Sequence, residues 1–204
     1  NVTLMFAQQL RDELAKIPGM RIEMTRTDDT FLRLTERVRV ARQYEADLFI
    51  SLHADTINRG NIRGATVYTV SDKASDAESR AMADRENRAD AVAGITFDGG
   101  APEIADILMD LTRRETHNFS LRFAKNVVDS LRKEVNMINN PHRFAGFQVL
   151  RAPDVPSVLV EIGYLSNAED EKLMLDPAWR AHVATRLATA VAAFSGLKTA
   201  GAQN

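Results

Sequence analysis

No cysteine occurs in the 204 residues, so disulfides contribute nothing to stability and any metal site must be built from His, Asp and Glu. No apolar run approaches the roughly 20 residues that a membrane-spanning helix needs. Asn1 leads straight into a helical pattern where a charged leader start would be expected, so the chain reads as cut from something longer. An excess of positive charge is missing too. With 26 Lys and Arg against 28 Asp and Glu the formal net charge is -2. That balance argues against a nucleic-acid partner, which requires concentrated Lys and Arg to displace counterions. Neither Gly-x-Gly-x-x-Gly nor a Walker pattern sits at a strand-to-helix turn, which argues against nucleotide chemistry. A Gly-x-Ser-x-Gly elbow is absent as well, and with it the usual frame of a serine hydrolase.

What is present is the composition of one globular domain, 45% hydrophobic and 26% charged. Val2, Met5, Phe6, Leu10 and Leu14 recur at helical spacing until Pro18-Gly19, and Arg21 to Arg26 reads as a short strand. Leu34, Val38 and Ala41 mark a second amphipathic helix. It leads into Asp47-Leu-Phe-Ile-Ser-Leu-His53, whose apolar run suits a strand buried on both faces. Ala65 to Val70, Gly146 to Leu150 and Ser157 to Glu161 read as further strands. Between them the pattern turns helical. Ser75 with Glu78 has capping-box spacing and opens a helix expected to end near Gly94, a loop follows over Thr96 to Pro102, and apolar residues from Ile104 to Leu131 predict one long helix or two. Ser166 with Glu169 opens another helix, and Asp176-Pro177 starts a last one running to about Phe194. Helices alternating with buried strands predict an α/β domain, a mostly parallel mixed sheet flanked by helices.

In such a sheet the carboxyl ends of strands face the ligand crevice, and His53 and Glu161 both end strands. A neutral imidazole is a zinc ligand, and a carboxylate beside a polarised water can take its proton. Together they make half of a metallohydrolase site. A single strand-end His is equally at home as a structural hydrogen-bonding residue, and spacing alone does not separate the two.

Longer blocks enclose both residues: Met24-Thr-Arg-Thr-Asp-Asp29 with Leu34-Thr-Glu-Arg37, Ala46-Asp-Leu-Phe-Ile-Ser-Leu-His-Ala-Asp55, Gly64-Ala-Thr-Val-Tyr68, and Ala145 through Val160-Glu-Ile-Gly163 to Asn167. In these blocks, and over nearly its whole length, the chain resembles the type-3 N-acetylmuramoyl-L-alanine amidases, the cell-division amidases of bacteria. The resemblance implies that residues 1–204 form an amidase catalytic domain. It implies a zinc enzyme of the periplasm that cleaves the amide between N-acetylmuramic acid and L-alanine in peptidoglycan during daughter-cell separation. His53 maps to a zinc ligand and Glu161 to the catalytic carboxylate. The family's first strand ends in Asp-Pro-Gly-His-Gly-Gly, and a glutamate ligand lies just before its first helix. Neither motif occurs here; by the resemblance Asn1 follows directly on that glutamate, so the first strand and part of the metal site are expected to be missing from this sequence. A chain truly starting at Asn1 is expected to bind zinc weakly.

The resemblance also implies that residues 71–117 form a helical insertion able to cover the site. Glu78, Met82 and Glu86 share one side of its first helix. Glu86 is the first candidate for a carboxylate that occupies the open zinc position, and Glu78 the second; the alternative for either is a solvated helix face. An activator of the LytM-domain kind is the partner implied. Arg151 and Asp154, near strand ends, are candidate substrate contacts or plain loop residues. His117 and His182 read as surface residues, His142 as a weaker zinc candidate than His53, and Asp55 as a loop residue before a partner of His53. A non-catalytic wall-binding or regulatory module of the same fold is the competing reading.

Overall fold

The computed structural model describes residues 2–57, 62–92 and 107–201. Strands β1 (Phe49–His53), β2 (Ala65–Val70), β3 (Met137–Ala145) and β4 (Ser157–Glu161) form one open sheet in the spatial order β1-β4-β2-β3. β1 runs parallel to β4 and β2 parallel to β3, while β2 and β4 are antiparallel. The sheet is thus mixed with parallel pairs prevailing, as the sequence pattern predicts. β4 has a neighbour on each side and helices over both faces. All five of its residues are buried, which is why it reads as an unbroken apolar run rather than an alternation.

Each face of the sheet carries its own core. Against one pack α1 (Val2–Leu14), α5 (Ile107–Leu131), α6 (Ala168–Leu175) and α7 (Pro177–Gly201), through Phe6, Leu10, Phe123, Val127, Leu131, Leu187 and Phe194 onto Val67, Val158 and Val160. Fully buried side chains of this size are each worth about 1.5–3 kcal/mol relative to exposure. Against the other face pack α2 (Leu34–Gln43), α3 (Ala77–Asn87), the short α4 (Ala89–Val92) and a 3-10 turn at Gln148–Leu150. There Leu34, Met82, Ala83, Phe147 and Leu150 meet Tyr68 and Leu159.

Several elements differ from the sequence expectation. Arg21 to Arg26 alternates between exposed and half-buried residues as a strand would, yet forms none. A strand exists only with a partner for its backbone, and the described residues provide none there; the segment instead walls a groove of about 1480 Å³ whose other wall includes the outer edge of β1. Gly146 to Leu150 is not a strand either. Its Phe147, Val149 and Leu150 are buried through the 3-10 turn. The fourth strand lies just before it, in Met137-Ile-Asn-Asn-Pro-His-Arg-Phe-Ala145. That segment hides its nature because β3 has one partner only, which tolerates Pro141. Its pairing with β2 also shifts register between Ala65 and Val67, next to Asn140 at φ 53. Two helices start one residue later than expected. Asp76, not Ser75, caps α3 by accepting from the Ser79 amide at 2.7 Å, and Asn167, not Ser166, caps α6 by accepting from Glu169 and Asp170. α7 starts at Pro177 as predicted and continues to Gly201, past Phe194. The expectations at Gly94, Thr96 to Pro102 and Ile104 lie outside the described residues.

The turn after β4 is fixed by a buried carboxylate. Asp170 Oδ2 accepts from the Gly64 amide at 2.7 Å and the Tyr164 amide at 3.1 Å, joining the loop before β2 to the loop after β4. A Cβ on Gly163, which has φ 156, would lie 3.2 Å from that carboxylate, so the glycine allows the close approach. Replacing Asp170 with Ala should cost about 3 kcal/mol of stability, the scale of two charge-assisted bonds lost with their donors left buried. Denaturant unfolding at fixed pH measures it; a loss below about 1 kcal/mol would show that the loops hold each other without this residue.

Candidate active site

The pairing of β1 with β4 runs residue by residue from Phe49 beside Ser157 to His53 beside Glu161. Side chains alternate along a strand, so Ser51, His53 and Glu161 project from one face, the face covered by α2 and α3. The contact continues beyond the strands. The Ile162 amide donates to the His53 carbonyl at 3.0 Å, and the Leu165 amide to the Asp55 carbonyl at 2.9 Å. The Ile57 amide donates to Ser166 Oγ at 3.1 Å, and the Asp55 amide to Glu161 Oε2 at 3.2 Å. Each exit loop therefore fixes the other.

α3 lowers Glu86 onto this edge. Its Oε2 is 3.6 Å from His53 Nδ1, and Asp55 Oδ1 is 3.6 Å from the same nitrogen. His53, Asp55 and Glu86 each present a donor atom, all within 4.8 Å of one another, as a group that could hold a metal ion. Ligands about 2 Å from a tetrahedral zinc lie about 3.3 Å apart, so these nitrogen and oxygen donors fit such an ion with a slight contraction. On the outer side, Glu86 Oε1 lies 3.7 Å from Arg37 and Asp55 Oδ2 lies 3.2 Å from Arg85, whose guanidinium also donates to the Thr56 carbonyl at 3.0 Å. Glu161 is fully buried, and its Oε1 has no hydrogen-bond partner among the described residues.

Burial opposes a charge on His53, yet Asp55, Glu86 and Glu161 around it outweigh that and raise its pKa to about 9. Burial, reinforced by the charge of Asp55, pushes Glu161 up to about 8 against the pull of His53. Asp55 is itself held below its ordinary value: burial opposes this, but the hydrogen bond and charge of His53 prevail, with Arg85 adding to them.

The sequence candidates thus separate. His53, Glu161 and Glu86 come together. Glu78, on the same helix side, instead accepts from Arg143 of β3 at 2.8 Å. Asp55, which the sequence suggests is a loop residue, turns its carboxylate to His53 instead. The signal is its spacing: two residues beyond His53 in extended chain returns to the same side. His142 lies on β3 with its Nε2 3.0 Å from Thr69 Oγ1, outside the donor group. His182 is an exposed partner of Glu134, and His117 lies half-buried on α5. Arg151 and Asp154 are exposed and paired with Asp72 and Arg42.

A family model described as N-acetylmuramoyl-L-alanine amidase matches residues 1–193. The chain belongs to this amidase family. It is 34% identical over 195 residues to N-acetylmuramoyl-L-alanine amidase AmiA of Escherichia coli, across 95% of this chain and 67% of that one. It is 34% identical over 196 residues to amidase AmiC of Neisseria meningitidis, across 94% of this chain and 46% of that longer one. The crystal structure of the amidase Ami1 of Mycobacterium smegmatis shares the fold, with a TM-score of 0.67 at 22% identity over 96% of this chain and 76% of that one.

Both raised groups give the metal-free amidase a defined pH response. His53 retains a proton from its ordinary 6.5 up to about 9, and Glu161 from 4.5 up to about 8. The folded chain then binds more protons than the unfolded chain, so stability falls as pH rises. The Glu161 contribution is complete below 4.5 and lost through about 8; that of His53 is complete below 6.5 and lost through about 9. In thermal unfolding without metal, the midpoint of the unsubstituted protein should drop more steeply between about pH 5 and about pH 8 than that of Glu161→Gln. Parallel curves for the two would contradict the buried, protonated state of Glu161.

Proposed function

We propose that this peptidoglycan amidase is a zinc enzyme of the periplasm in which His53 binds the metal, Glu161 moves the proton, and Glu86 holds the site closed until an activator acts. The observation that carries the reading is the register partnership of His53 and Glu161 at the carboxyl ends of adjacent parallel strands, in a chain of the amidase family. Peptidoglycan supplies the substrate: an amide joining the lactyl carbonyl of N-acetylmuramic acid to the nitrogen of L-alanine.

His53 would hold the zinc, with Asp55 the next donor on the same strand exit. When bound, it supplies Lewis-acid polarisation of the scissile carbonyl and of a water. Glu161 takes a proton from the water as its oxygen adds to the carbonyl carbon. The same carboxyl then delivers that proton to the alanine nitrogen as the C–N bond breaks, leaving a lactyl carboxylate and a free amino terminus. Burial suits Glu161 to both halves of this task, since a carboxyl raised to about 8 can accept and release a proton near neutral pH. The Asp55 amide, donating to Glu161 Oε2, keeps one oxygen anchored and leaves Oε1 unpartnered for the transfer.

Glu86 is read as inhibitory because it enters from another element, α3, and places a carboxylate beside His53 where a water or substrate oxygen would need to be. The region 71–117 then acts as a cover, its displacement favoured by a LytM-domain activator during daughter-cell separation. Arg151 and Asp154, on the exposed loop after the 3-10 turn, remain candidates for contact with the glycan or peptide.

Zinc content and amide cleavage of isolated peptidoglycan test these roles separately. His53→Ala should lower zinc affinity at least about tenfold, the usual cost of losing a metal contact. Glu161→Gln should keep the metal and reduce turnover by about 100-fold or more. A Glu161→Gln protein with substantial activity would remove this residue from the mechanism. Glu86→Ala should raise basal activity in the zinc-loaded protein, and an unchanged basal rate would end the inhibitory reading.

A further inference from the structure

The first turn of α2 cannot be capped by its own chain. The residue at the cap position is Arg33, whose guanidinium has donors and no acceptor. The acceptor comes from 56 residues away: Asp90 of α4, itself 5% exposed, takes the Leu34 amide with its two oxygens at 3.1 and 3.4 Å. A carboxylate there also meets the positive end of the α2 dipole. Three residues earlier, where α3 ends, Asn87 uses both ends of its amide on one loop. Its Nδ2 donates to the Gly146 carbonyl at 2.8 Å, and its Oδ1 accepts from the Gln148 amide at 2.9 Å. Glu86 lies directly beside Asn87. The apolar attachment of α3 is small by comparison, since its buried residues are Ser79, Met82 and Ala83.

We propose that Asn87 and Asp90 form a two-point polar latch that keeps the Glu86-bearing helix seated on the His53 edge and sets how often it leaves. The latch rests on the reading of Glu86 as the residue that closes the site. Its two halves grip different elements: Asp90 takes the start of α2 and Asn87 takes the turn at Gly146–Gln148. Both are polar groups that water can satisfy once they are released, as can the amides they leave. Opening therefore requires breaking directional bonds but exposes little apolar surface, and the segment belongs to the part of the structure that opens locally without global unfolding. Neither residue touches His53, Asp55 or Glu161 in any described contact, so each acts on the site through the position of Glu86 alone.

Hydrogen exchange followed by mass spectrometry on the whole chain tests the latch directly. Asp90→Ala and Asn87→Ala should each speed exchange across residues 77–91 by about fivefold or more, the scale of one lost helix cap, with β4 and α7 unchanged. Unchanged protection of 77–91 in both variants would overturn the proposal. Arg33→Ser separates the latch from mere support of α2, because a serine at the cap position, with Glu36 three residues on, completes a local capping box. In the double variant Asp90→Ala with Arg33→Ser, α2 should regain protection while α3 stays fast; recovery of both would mean that Asp90 serves α2 alone, and the latch would fall. If Asp90→Ala loosens β4 as well, Asn87→Ala decides by the same measurement. Glu86→Ala distinguishes the two readings: a basal rate that it leaves unchanged, alongside fast exchange in the latch variants, defeats the inhibitory role of Glu86 and leaves the latch standing.

Discussion

The register between β1 and β4 is the constraint from which the site follows. A strand turns successive side chains to opposite faces, so a slip of one residue would send His53 into the α1, α5 and α7 core and leave Glu161 without its partner. Two features pin that register. Ile50 and Leu52 belong with Val158 and Val160 on one face, and Phe49 with Leu159 on the other, so any slip buries Ser51 and His53 among apolar groups. Past the strand ends, the bonds from Ile162 to His53 and from Leu165 to Asp55 carry the pairing into the loops. Asp170 then ties the turn at Tyr164 to the loop before β2. The edge that presents His53 and Glu161 is therefore as rigid as the sheet, although half of it is loop.

The charges on that edge do not balance by themselves. Asp55, Glu86 and Glu161 surround one imidazole in a buried place, and Arg37 and Arg85 reach only the outer oxygens of Glu86 and Asp55. Isolated buried carboxylates are costly, and a protein answers by protonating them or by bringing in a cation. Both answers are visible in the raised pKa values of His53 and Glu161, which retain protons where the same groups in water would release them. A divalent ion among these donors would replace the protons. Metal and protons therefore compete for the same atoms, and the electrostatic arrangement that favours an ion also makes its binding weaken in acid.

How much of this could be read from the sequence depended on whether a residue's role was local. The sheet, its parallel tendency and the ends of β1 and β4 were legible, because buried parallel strands announce themselves as short apolar runs that stop at polar residues, here His53 and Glu161. Glu86 was legible as one side of a helix. β3 was not, since an edge strand holding Asn139, Asn140 and Pro141 carries no apolar run, and the neighbouring Phe147 and Leu150 imitated a strand while packing from a 3-10 turn. Arg21 to Arg26 had the right alternation and lacked a partner, which no local pattern reports. Asp55 was undervalued because its importance comes from the turn after His53 remaining extended. Asp90 was beyond reach altogether: nothing near it in the chain indicates that its carboxylate caps a helix that starts at Leu34.

That long-range cap points to a difference between the two faces of the sheet. On the α1, α5 and α7 side, long helices close over large apolar side chains such as Phe6, Phe123, Leu187 and Phe194, and parting them would expose a core. On the side of the site, α3 adds only Met82 and Ala83 to the apolar contacts and is otherwise held by Asp90, Asn87 and Arg85 through hydrogen bonds. Apolar burial sums over area and resists piecemeal removal, whereas a few directional bonds can be exchanged for water one at a time. One sheet can thus keep a fixed edge and a detachable cover: the fixed part rests on the hydrophobic face, and the polar attachment lies where a substrate would have to enter.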